Sequence, residues 1–181
     1  MNNSYVVQMI NKEIVRKIRK MAHEYDKNSG CSQSVLLALQ EGLMIGNMES
    51  FKAATALSGG VARRGETCGA ILGGLMALGL VYGRSRMEDT NQYIKTCKVA
   101  DEICRDFQKQ LEKEFGFKEP LGSILCREIQ EKIYGRSFDL REDAQREAFL
   151  KAGGHSDDGC YKVCGIAAEV SAKKILQLNE K

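Results

Sequence analysis

The sequence is poor in several residues that carry common chemistry: its 181 positions include one proline, two histidines and no tryptophan. His23 and His155 belong to no H-E-x-x-H motif, so a catalytic zinc site built on histidines is not predicted. No C-x-x-C-H segment is present, which excludes covalent c-type haem. Gly59, Gly60 and Gly65 form neither a P-loop nor a G-x-G-x-x-G motif, and G-x-S-x-G is missing as well. Nothing in these motifs therefore predicts nucleotide binding or serine-based hydrolysis.

The sequence also lacks a strong charge of either sign and a long apolar run. A net charge of +3, spread along the chain, does not predict binding to nucleic acid. The Arg63-Arg64 pair is a local basic spot, for which we favour a solvated loop over an anion site. The apolar stretch 70–82 is too short and too rich in glycine to predict a membrane span. The N-terminal residues lack the features of a secretory signal, so we expect a cytoplasmic protein.

Apolar residues recur at spacings of three and four along almost the whole chain, and no segment alternates cleanly enough to predict a strand. Glycines and polar breaks separate the periodic segments. The predicted helices span approximately 5–25, 31–45, 49–58, 68–82, 87–115, 120–135, 140–151 and 157–178. We predict one all-α domain over residues 1–181, a bundle of seven or eight helices with short connections. The long amphipathic helices also make self-association into a homo-oligomer plausible.

Cysteine is the abundant reactive residue, with seven copies. An odd count in a reducing compartment argues against a disulfide scaffold. Cys97 and Cys104 lie in mid-helix on an apolar stripe, so we expect them to be buried and inert. The other positions of interest are predicted helix starts, where free N–H groups and the helix dipole favour thiolate over thiol. They are Cys31, Cys68, Cys126 and Cys160, although a helix that begins at Gly122 or Ser123 would place Cys126 in its second turn.

Two of these positions give more detailed expectations. Cys68 follows a glycine-rich loop and opens an apolar helix, which makes it the best candidate for an activated thiol. Cys160 and Cys164 are one helical turn apart, so both sulfur atoms can reach one metal ion or cluster. His155 lies five residues before Cys160 and is a candidate metal ligand or proton donor. A histidine in such a loop is more commonly solvated.

Four segments occur together in an order that identifies a family: 28–35, 65–74, 126–129, and 160–163 with 167–169. The chain resembles the C-GCAxxG-C-C family of redox-active proteins from about residue 28 to residue 176. The resemblance implies that Cys31, Cys68, Cys126 and Cys160 are the four family cysteines. The chain departs from the pattern in two ways: Gly69 separates Cys68 from the alanine, and Cys164 is additional, so either Cys160 or Cys164 would be the last ligand. The family is similar to a domain of split-Soret cytochromes, for which an iron–sulfur cluster is implied.

These observations leave three hypotheses open. In the first, the four cysteines, with Cys164 as an alternative, bind an iron–sulfur cluster and exchange electrons with a redox partner protein. In the second, the thiols form a metal-free dithiol/disulfide relay in which Cys68 attacks and another cysteine such as Cys31 resolves. In the third, a zinc ion stabilises a helical structural or interaction module. We place the cluster slightly ahead of the relay, and both ahead of zinc.

Overall fold

The computed structural model describes residues 3–178, and the side chains of residues 5–178. These residues form eight α-helices and two short 3-10 turns, without any β-strand. The all-α bundle agrees with the fold expected from the sequence. The α-helices are α1 (Asn3–Tyr25), α2 (Cys31–Leu43), α3 (Met48–Ala53), α4 (Gly69–Tyr82), α5 (Thr90–Phe115), α6 (Cys126–Tyr134), α7 (Asp143–Lys151) and α8 (Cys160–Leu178). The 3-10 turns are Asp26–Asn28 and Thr55–Leu57.

Helix α8 lies at the centre of the bundle and packs against α1, α2, α4 and α5. It contributes Ile166 and Ile175 to the core, and Leu36 of α2 and Ile71 of α4 are fully buried with them. Burying a side chain of this size stabilises the fold by about 1.5–3 kcal/mol. The core therefore holds together α2, α4 and α8, three helices that begin at or directly after a cysteine.

Two glycines allow α4 to lie against the start of α2. A Cβ atom at Gly73 would lie 2.3 Å from the backbone oxygen of Ser32. A Cβ atom at Gly69 would lie 2.6 Å from Sγ of Cys31 and 2.8 Å from the backbone oxygen of Leu57. Any larger residue would push the two helices apart. The glycines thus bring the start of α4 next to the sulfur of Cys31.

The loop before α4 contains a left-handed turn. Five consecutive residues, from Gly59 to Arg63, have φ between 52° and 71°. Hydrogen bonds close the turn, from Ala62 N to Ala56 O at 2.7 Å and from Arg63 N to Ser58 O at 3.1 Å. Three of the five residues are not glycine, and each costs roughly 1–2 kcal/mol in this conformation. The surrounding structure therefore imposes this turn on the chain.

A short antiparallel bridge between Thr67 and Leu125 fastens the start of α4 to the start of α6. Cys68 N donates to Ile124 O at 2.8 Å, and Cys126 N donates to Glu66 O at 2.7 Å. These bonds satisfy two of the backbone N–H groups that a helix start leaves free. They also fix two cysteines, 58 positions apart in the sequence, beside each other.

Several helix starts differ from those expected. Helix α5 begins at Thr90 because the side chain of Asp89 accepts a capping bond from Gln92 N at 2.9 Å. Pro120 lies in a non-helical segment rather than in a first turn, because the residues just before Cys126 pair with the 66–68 segment. Helix α7 begins at Asp143 rather than near residue 140.

None of the helices within residues 3–178 combines the length and the apolar character that crossing a lipid bilayer requires.

Candidate functional site

Each of the four family cysteines lies at a helix start in the structure, as the sequence predicts. Cys31, Cys126 and Cys160 are the first residues of α2, α6 and α8. Cys68 is the N-cap residue of α4. The sequence is compatible with Cys126 in the first or the second turn of its helix, and the bridge between Thr67 and Leu125 places it in the first turn.

The cysteines from these separate helices line a single cavity. The cavity has a volume of about 650 Å³ and lies where the starts of the four helices meet. The sulfur-bearing residues that line it are Cys31, Cys68, Cys126, Cys160 and Cys164. All are free thiols, and Cys68 and Cys164 are buried. The structure thus brings together all five cysteines named as candidate ligands. We call this space the cysteine cavity.

The remaining two cysteines lie on α5, away from the cysteine cavity. Cys97 is exposed, which contradicts the expected burial, and Cys104 is half-buried against the core. The expectation for Cys97 was wrong because the N-terminal half of α5 lies at the edge of the bundle, with Tyr93 and Ile94 also exposed. Only the C-terminal part of the stripe, with Phe107 and Leu111, enters the core.

Backbone N–H groups at the helix starts reach two of the sulfur atoms. The amides of Ala70 and Ile71, in the first turn of α4, donate to Cys68. Cys31 receives hydrogen bonds from the amide of Gly59 and the hydroxyl of Ser58. These donors stabilise negative charge on sulfur, as a helix start should.

Helix α6 supplies side-chain hydrogen bonds to two further sulfur atoms. Gln130 Nε2 donates to Cys126 Sγ at 3.4 Å, while its Oε1 accepts from Phe138 N at 2.8 Å. Because Oε1 accepts the bond from Phe138 N, the Nε2 end of the amide must face the sulfur of Cys126. The hydroxyl of Tyr134 has one proton to donate, and it lies 3.6 Å from Cys160 Sγ and 3.2 Å from the backbone oxygen of Gly154. It donates to Gly154 O when Cys160 is a thiol, and a thiolate at Cys160 would accept this proton instead. Gln130 and Tyr134 are one turn apart, so α6 presents both to sulfur atoms of the cavity wall.

Burial is the dominant influence on the thiols. It raises the pKa of Cys31 to about 12 and the pKa of Cys68 to about 11. Burial also raises the pKa values of Cys126, Cys160 and Cys164 well above the ordinary value. The expectation that helix starts would favour thiolate is therefore wrong for the cavity without a cation. The N–H groups act in the expected direction, but desolvation outweighs them.

Asp26 lines the cavity, although no sequence pattern marks it as a candidate site residue. It is fully buried, and its Oδ1 is 3.5 Å from the hydroxyl oxygen of Ser34. The Cys164 thiol lies near enough to lower the pKa of this carboxyl group, yet Oδ2 has no hydrogen-bond partner among residues 5–178. Burial is the larger effect and raises the pKa of Asp26 to about 7. An aspartate between two predicted helices reads as a solvated turn, so sequence periodicity could not identify it.

His155 also lines the cysteine cavity, and it is half-buried. Its ring forms a hydrogen bond to the backbone of Asp26, while burial lowers its pKa. The ring is therefore a neutral hydrogen-bond donor to the Asp26 turn at neutral pH. A solvated loop position was the commoner expectation for this histidine, and that expectation was wrong.

The five thiols line the same cavity. Within the part of the chain that the structure describes, no group of three or more His, Cys, Asp or Glu residues is arranged to hold a metal ion. A single tetrahedral ion needs all its sulfur ligands within about 2.3 Å. The described thiols are therefore not positioned as the ligands of one ion.

Comparison with protein-family models gives a match over residues 29–174 to the family described as "Putative redox-active protein (C_GCAxxG_C_C)". The chain belongs to this family. The match covers the segment from the start of α2 to the last third of α8, and so includes every cysteine of the cavity. Family membership supports a cysteine-based redox role. Neither the curated proteins nor the solved structures contain a match to this chain.

Proposed function

We propose that the protein is an electron carrier that holds an iron–sulfur cluster in the cysteine cavity and exchanges electrons with a redox partner protein. The observation that carries the proposal is the convergence of cysteines from four helix starts on one cavity of about 650 Å³. Thiolates are the usual ligands of such clusters. When bound, the cluster would supply one-electron transfer.

The donor set fits a cluster in three respects. The thiols line one cavity together, and a cluster of several atoms needs a wall of cysteine ligands contributed by separate segments. Their raised pKa values mean that the thiols stay protonated in a cavity without a cation. Coordination to a cation deprotonates a thiol, so the buried cysteines would become thiolates when a cluster binds. Hydrogen bonds from Gly59, Ala70 and Gln130 would then stabilise the thiolate ligands.

We assign the four ligands to Cys31, Cys68, Cys126 and Cys160. All four share the position at a helix start, and each receives or can receive a hydrogen bond at sulfur. Cys164 lies one turn further along α8 and its thiol interacts with the buried carboxyl group of Asp26. This contact favours Cys160 over Cys164 as the fourth ligand.

A metal-free dithiol relay is the second candidate, supported by the proximity of Cys31 and Cys68. Cys31 Sγ packs against Gly69, the residue that follows Cys68, and would lie 2.6 Å from a Cβ atom at that position. Charge on Cys68 is the second-largest influence on the pKa of Cys31, after burial. Against this candidate, a thiol with a pKa of about 11 is ionised in about one molecule in ten thousand at pH 7, so attack would be slow. A zinc-bound structural module is less well supported, because the described thiols are not positioned as the ligands of one ion.

Anaerobic purification tests the first proposal directly. We expect iron and acid-labile sulfide in the wild-type protein, with visible absorption from sulfur-to-iron charge transfer. Single serine variants of Cys31, Cys68, Cys126 or Cys160 should each lose most of the iron. The matched control is Cys97→Ser, which changes an exposed thiol outside the cavity and should retain full loading.

The outcome for Cys164→Ser separates the two possible ligand sets. Retention of iron by this variant supports Cys160 as the fourth ligand, and loss of iron in Cys164→Ser but not in Cys160→Ser would reverse the assignment. Absence of iron and sulfide after anaerobic reconstitution of the wild-type protein would refute the cluster. Stoichiometric zinc, or a reversible Cys31–Cys68 disulfide in mass spectra, would then point to the other candidates.

A further inference from the structure

The outer end of the cysteine cavity carries positive charge that cluster binding does not use. Arg63 and Arg146 line the cavity and are exposed, whereas the cysteines of the wall are buried or half-buried. Among the described residues that line the cavity, the acidic one is Asp26, which is fully buried. The charged residues of the exposed rim are therefore both cationic.

The left-handed turn holds Arg63 at this rim. Val61, Ala62 and Arg63 have φ of 56°, 52° and 63°, a conformation that costs non-glycine residues of order 1 kcal/mol or more each. Strain of this kind is found where the surrounding structure requires a particular geometry, often at a binding site. Here its result is that the side chain of Arg63 lines the cavity.

The neighbouring arginine has a different position. Arg64 does not line the cavity. The pKa of Asp139, in the segment before α7, is lowered chiefly by hydrogen bonds with Arg141 and to a smaller extent by the charge of Arg64. This electrostatic influence indicates that the left-handed turn lies near the segment that leads to Arg146. The two cationic side chains of the rim therefore come from adjacent parts of the surface.

Both rim arginines are available to a ligand. No ion pair forms at Arg63 within the described part of the chain, and Arg146 has a long contact of 3.7 Å with Asp143 on its own helix. A pair between exposed side chains at this distance contributes little, typically below about 1 kcal/mol. Guanidinium groups bind carboxylate and phosphate oxygens through paired N–H donors.

We propose that Arg63 and Arg146 form a binding site for an oxyanion at the mouth of the cysteine cavity. This inference rests on the proposed function insofar as the cavity is the redox site, and it assigns the ligand of the mouth to the carboxylate or phosphate class. The cavity is concave, and its volume of about 650 Å³ lies within the usual range for small-molecule pockets.

Charge-selective alkylation of the reduced, metal-free protein tests the site. Anionic iodoacetate and neutral iodoacetamide react with the same thiols, so their rate ratio at each cysteine, read by mass spectrometry, reports the local charge environment. Cys97 is exposed and outside the cavity, and it serves as the internal standard. We expect the ratio at the half-buried Cys31, Cys126 and Cys160 to exceed that at Cys97 by at least about threefold, because a cleft of one charge sign concentrates ions of the other.

The variants R63Q and R146Q should each move this ratio towards the value at Cys97, and 0.5 M salt should do the same. R64Q is the matched control: it removes an adjacent charge that does not line the cavity, so it should leave the ratio unchanged. A wild-type ratio equal to that of Cys97, or an equal response to R64Q and R63Q, would overturn the proposal.

Titration with inorganic phosphate provides a second readout that needs no thiol reactivity. Calorimetry on the metal-free protein should show saturable binding, weakened about threefold to tenfold by R63Q or R146Q and unchanged by R64Q. No binding in the wild-type protein would refute the anion site. Because both experiments use metal-free protein, their outcome is independent of the iron and sulfide analysis that decides the cluster.

Discussion

At the scale of single residues, the buried carboxyl group of Asp26 makes the stability of the protein depend on pH. Folding buries its carboxyl group and raises the pKa from 3.8 to about 7, so the native state binds the proton more tightly than the unfolded chain. The free energy of unfolding of the reduced, metal-free protein should therefore fall as the pH rises from about 4 to about 7. The fall has a magnitude on the order of 4 kcal/mol at most.

Asp26→Asn replaces the protonated carboxyl with a neutral group of the same shape. At pH 8 we expect this variant to be more stable than the wild-type protein by a large part of that difference, and at pH 4 to differ by less than about 1 kcal/mol. Urea unfolding at the two pH values measures both quantities. If the two proteins differed in free energy of unfolding by the same amount at pH 4 and pH 8, ionisation of Asp26 would not destabilise the native state.

Tyr134 offers a second test at the residue scale, this time on the loaded protein. Its hydroxyl lies 3.6 Å from Cys160 Sγ, and a hydrogen bond to a ligating sulfur draws off negative charge and so raises the reduction potential. Tyr134→Phe should lower the potential measured by anaerobic spectroelectrochemical titration. The control Tyr93→Phe changes an exposed tyrosine on α5 and should leave it unchanged. An unaltered potential in Tyr134→Phe would exclude this hydrogen bond from tuning the site.

At the scale of elements, α4 provides a matched pair of glycines. A methyl group at Gly73 would lie 2.3 Å from the backbone oxygen of Ser32, whereas one at Gly79 would meet nothing within 4 Å. We expect Gly73→Ala to destabilise the protein by about 1–3 kcal/mol, since α2 and α4 must separate. Gly79→Ala should stabilise it by up to about 1 kcal/mol through helix propensity. Thermal unfolding of both variants checks the prediction, and equal effects would contradict it.

Local sequence patterns predicted the helices well and their long-range connections poorly. The starts of α2 and α4 followed from glycine breaks and apolar periodicity, both of which act over a few residues. The start of α6 did not, because the bridge between Thr67 and Leu125 joins distant segments. Pro120 was therefore assigned to a helix that begins six residues later, at Cys126.

At the scale of the whole molecule, the sequence identified the cysteines but not their environment. The order of the cysteine motifs was sufficient to predict the family, and the helix starts were sufficient to choose four cysteines. The ionisation of the thiols was predicted in the wrong direction because a dipole can be inferred from local sequence, whereas desolvation depends on every element that covers the site. Asp26 was missed for the same reason, since its burial results from packing with distant residues.

The central helix α8 follows the other described helices along the chain, and this has a consequence for assembly in the cell. It carries Cys160 at its first residue and supplies the middle of the core. A nascent chain that still lacks α8 has neither the middle of this core nor the complete set of cysteines that line the cavity. Completion of the cavity must therefore wait until residues 160–178 have been translated.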